Sequence, residues 1–131
     1  MAKKDLVIFS LDVLLMPDGT FTPGADGIIG SQEFLKAFIA SEKDSGFSWS
    51  RIAKLNSSGS FSGHCMPNSQ SADDCKYVLQ NLLGWICRQH DVGKKFFIVR
   101  NEMHLEQGKT LGLVGIKVEG PIIPVEQLFL V

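Results

Sequence analysis

The chain lacks an excess of charge of either sign. Its 13 Lys and Arg residues are set against 14 Asp and Glu, giving a formal charge of −1, so no general field draws in nucleic acid or an acidic membrane surface. Long apolar runs are missing as well. No stretch approaches the roughly 20 consecutive apolar residues that span a bilayer. The opening MAKKDLVIFS passes from two lysines straight into a strand-like run, without the apolar core of a secretory leader. Neither a membrane nor a secreted location is expected from this pattern, and a cytoplasmic one is. Cysteine is scarce: Cys65, Cys75 and Cys87 are odd in number and widely spaced, which fits neither a disulfide framework nor the paired spacing of a structural zinc site. Reduced thiols are expected. His64 adjoins Cys65, while His90, His104 and the other cysteines are scattered, so surface or helix histidines are expected in preference to a metal site. A dinucleotide fingerprint is absent too, because Gly24, Gly27 and Gly30 have the wrong spacing and do not directly follow a strand. Trp49, Trp85 and the nine phenylalanines have no interleaved basic stripe and read as core, not as a base-stacking platform.

What is present is an ordinary globular composition, 44% hydrophobic and 21% charged over 131 residues, which predicts one domain with one core. Asp5–Phe9, DLVIF, is a short continuous apolar run of the kind that suits a strand buried on both faces, and it is expected to be central. The stretch Met16–Gly30 is dense in Pro, Gly and Asp and reads as a loop. Ser31 is a candidate cap for a helix carrying Phe34, Leu35, Phe38 and Ile39 at helical spacing. The alternating segment Phe47–Leu55 admits a weakly specified strand, and Asn56–Ser71, rich in Ser, Gly and Asn, reads as a long loop.

A second helix is marked from Ser71 or Asp73, with acidic residues in its first turn and Tyr77, Val78, Leu82, Trp85 and Ile86 on one broad face. Phe96–Val99 and Val114–Val118 are further strand candidates. Between them Met103–Leu111 suits a helix that Gly112 ends. Strand, helix and strand in so few residues imply a right-handed parallel crossover. The tail Gly120–Val131 is apolar for a terminus, so it is expected either to fold back on the core or to help form a homodimer.

Three segments together resemble the haloacid dehalogenase (HAD) phosphatase superfamily, in particular its capless histidinol-phosphatase and heptose-bisphosphate-phosphatase type. FSLDVLL at Phe9–Leu15 is similar to the family's first motif, an apolar strand followed by Asp-x-Asp-Gly-Thr-Leu. FIVRNEMHLEQGKTLGL at Phe97–Leu113 is similar to its last, with Gly108, Lys109, Leu111 and Gly112 matching in spacing and type. HCMPNSQSADDCKYVLQNLL at His64–Leu83 is similar to the Arg-Lys-Pro-x-Pro stretch and the helix behind it. The resemblance implies a shortened Rossmann-like α/β fold: a three-layer sandwich around a mainly parallel central sheet, with no large cap domain. The strand at Asp5–Phe9 would lie beside that at Phe96–Val99, with Val114–Val118 next.

The framework matches better than the chemistry. In the family the first Asp of the first motif attacks phosphorus and the second serves as acid and base. Here the nucleophile position holds Ser10 and the acid/base position keeps Asp12, followed by Val13 and Leu14. A neutral hydroxyl without an activating base is a poor nucleophile. In the last motif Arg100 and His104 stand where metal-binding Asp residues belong, with Asn101 and Glu102 between them, and a guanidinium repels the magnesium that such carboxylates would hold. Met66, before Pro67, replaces the phosphate-neutralising lysine, and the second motif's Ser or Thr falls near Leu55 or Ser57, beside Asn56. The resemblance thus implies a pseudophosphatase: a binding or scaffold module with a protein partner or a small anion, no cofactor and no nucleic-acid or membrane ligand. The alternative is a residual or altered magnesium-dependent hydrolase acting on a phosphorylated small molecule through Asp12 and Glu102.

Overall fold

The computed structural model describes residues 3–14, 34–39, 63–65, 72–100 and 102–118. These residues form an α/β unit around a wholly parallel sheet, with strands β1 (Lys4–Ser10), β2 (Leu35–Ile39), β3 (Gly63–Cys65), β4 (Val92–Val99) and β5 (Val114–Lys117). The helices are α1 (Leu11–Leu14), α2 (Ala72–Gln89) and α3 (Glu102–Thr110). The strand order is β3-β2-β1-β4-β5, so chain progress runs one way from β1 to β3, then reverses on the far side of β1. That order and its single reversal match the first five strands of doubly wound α/β sheets.

The central position of β1 follows from its sequence. Leu6, Val7, Ile8 and Phe9 are all buried, as the unbroken apolar run requires of a strand covered on both faces. On one face Leu6 and Ile8 join Ala37 and Ile39 of β2, Phe97 and Val99 of β4, and Leu79, Leu82, Leu83 and Ile86 of α2 in one core cluster. The other face is closed as well: Val7, Phe9, Phe38, Phe96 and Ile98 are all buried, together with Val13 and Leu14 of α1.

Helix α3 lies beside α2 and packs on β4 and β5. Its approach to the sheet is close because Gly108 faces Phe97, where an added Cβ would come within 2.6 Å of the ring. The helix ends as the sequence predicts. Gly112 takes φ +81°, Leu113 N donates to Gly108 O at 2.9 Å, and Gly112 N donates to Lys109 O at 3.1 Å. These two bonds are the Schellman pair that satisfies the last carbonyls of a helix, and the left-handed residue between them favours glycine. Leu113 then turns into the core.

Several sequence expectations are corrected. The helix expected to carry Phe34, Leu35, Phe38 and Ile39 is instead strand β2 over Leu35–Ile39, paired in parallel with β1 from Leu6↔Leu35 to Ser10↔Ile39. Five residues with apolar positions at both helical and strand-compatible spacings cannot be assigned by periodicity; a place beside the central strand, with both faces buried, decides for the strand. The expected loop Asn56–Ser71 contains the short strand β3, which pairs with β2. Strand β4 starts at Val92, earlier than expected. Within α2 the buried positions are Leu79, Leu82, Leu83 and Ile86, an i, i+3, i+4, i+7 stripe, while Tyr77 and Trp85 are 67% and 45% exposed. The buried face of α2 therefore lies one step round the helix from the face that the sequence predicts. The expected loop Met16–Gly30, the segment Phe47–Leu55 and the tail Gly120–Val131 lie outside the described residues.

Candidate functional site at the strand ends

In a parallel sheet all carboxyl ends face one way, and ligands collect in the crevice where the strand order reverses. Here that reversal lies between β1 and β4. Register fixes what stands there. Ser10 pairs with Ile39, Ile39 with Cys65, and Val99 with Lys117. Continuing the β1–β4 register one step beyond Phe9↔Ile98 places Val99 beside Ser10. Cys65, Ile39, Ser10, Val99 and Lys117 thus form one row along the carboxyl edge. Beyond this row the strands end: Leu11 is the first residue of α1, and Arg100 follows β4 directly.

Ser10 ends β1 and is 5% exposed. Its parity along the strand, shared with Leu6 and Ile8, puts it on the face covered by α2. The hydroxyl thus has little open surface for a substrate to approach. Arg100, directly after β4, is half-buried at the same end of the sheet. Two residues later Glu102 opens α3, and its carboxylate accepts a 2.7 Å hydrogen bond from Lys117 Nζ at the end of β5. The bond, and then the charge of the same ammonium, hold the Glu102 carboxyl below its ordinary range. A carboxylate stabilised in this way is a weak base and already has a cation.

The structure brings the element ends carrying Ser10, Arg100 and Glu102 to one edge of the sheet. Asp12 lies in α1 two residues beyond Ser10, and His104 is the third residue of α3; the side chains of both, like Asn56, Ser57 and Asn101 altogether, lie outside the described residues. Among the described residues no group of three or more His, Cys, Asp or Glu side chains is placed to hold a metal ion. Among the described residues, too, no helix is long and apolar enough to cross a membrane.

Sequence reasoning missed Lys117. Its signal was available: once VGIKV is taken as the strand next to FFIV, a lysine near its carboxyl end falls beside the start of the helix that opens with Glu102. The pairing needed register, which motif spacing alone does not supply. In comparison with known proteins, the chain matches no protein-family model and no curated protein.

Proposed function

We propose that the chain is a noncatalytic HAD-like protein, a pseudophosphatase that keeps a shortened three-layer fold without a large cap and uses the carboxyl edge of its sheet as a binding or scaffold module. The observation that carries this reading is the pair of residues at the switch point. Ser10 at the end of β1 is buried, and Arg100 follows the end of β4; these are the positions where the resemblance expects a nucleophilic carboxylate and a metal-binding one. At the neighbouring strand the Glu102 carboxylate is paired with Lys117 Nζ at 2.7 Å, an exposed contact that a metal or substrate would have to displace. In this reading Arg100 supplies a fixed positive charge where a bound cation would otherwise sit, and Asp12 is its natural counter-ion. The edge can then receive a protein partner or a small anion without turnover.

The test is phosphate release from a panel of phosphorylated small molecules, with and without magnesium, for the parent and for Asp12→Asn. No magnesium-dependent release above the variant's background is expected. Turnover that requires magnesium and disappears in Asp12→Asn would instead establish the hydrolase alternative. A stable complex recovered with the parent and lost with Arg100→Ala would place binding at this edge.

A further inference from the structure

We draw no further inference here: the strongest candidate, the exposed aromatic surface patch that Tyr77 and Trp85 form on helix α2, carries nothing because nothing in the structure shows what covers it.

Discussion

Among the described residues, Lys36 is the charged side chain that is buried. It is the second residue of the five-residue strand β2, 2% exposed, with its ammonium 5.6 Å from the centre of the Phe34 ring. Burial first, and repulsion from Lys4 second, lower its pKa from the ordinary lysine value. The unfolded chain therefore binds this proton more tightly than the folded one. Stability should rise with pH through the alkaline window between the lowered folded value and the ordinary one, and the full penalty should be present below that window. Urea midpoints measured from neutral pH up to the ordinary lysine range should increase more for the parent than for Lys36→Met; equal increases would remove Lys36 as the source. At the other end of the sheet the sign reverses. Lys117 depresses Glu102, so that pair's contribution is present above the ordinary carboxylate range and lost as pH falls through the depressed value. In Lys117→Met the Glu102 carboxyl should titrate at higher pH, read from its carbon chemical shift. An unchanged titration would mean that another cation holds it. Neither residue stands out in the sequence, because burial of Lys36 and the reach of Lys117 both depend on strands paired across long chain separations.

Among the elements, those that carry their own punctuation were legible and those defined by neighbours were not. Helix α3 was read with its end correct because Gly112 marks a left-handed cap. Replacing Gly112 with Ala should cost about 1–2 kcal/mol in chemical denaturation, the strain of a Cβ in that conformation, and Asn should cost less. Strand β1 was legible because an unbroken apolar run bounded by polar residues has few other uses. Strand β2 was not, since Phe34, Leu35, Phe38 and Ile39 fit a helix equally well until β1 is beside them. Helix α2 was found, yet its inward face was set by what lies beneath it. Ile86, fully buried against the sheet, should cost about 2–5 kcal/mol when cut to Ala, while Tyr77→Ser should stay within about 0.5 kcal/mol of the parent. Comparable losses from the two variants would overturn the burial pattern of α2. The candidate site was legible to the extent that motif order put Ser10 and Arg100 at adjoining strand ends; its ion pair came only with register.

For the molecule as a whole, the proposed function turns on whether one substitution gives the edge a site for magnesium. If Arg100 occupies the place of a metal ligand, Arg100→Asp should put two carboxylates near each other, and the variant's melting temperature should rise with added magnesium while the parent's does not. A ligand that binds only the folded state must raise stability in this way. A variant indifferent to magnesium and melting like the parent would count against the proposed place of Arg100. The same sheet order has a consequence for synthesis. Phe9 pairs with Ile98, so the strand at the centre of the sheet is translated 89 residues (98 − 9) before the neighbour that closes its second edge. At about 5–20 residues per second this leaves the DLVIF segment waiting on the order of 5–20 s on the ribosome with one row of backbone groups unmatched. Yield of soluble protein from cells should therefore rise with chaperone supply during translation, and a yield unchanged by added chaperone would count against this exposure.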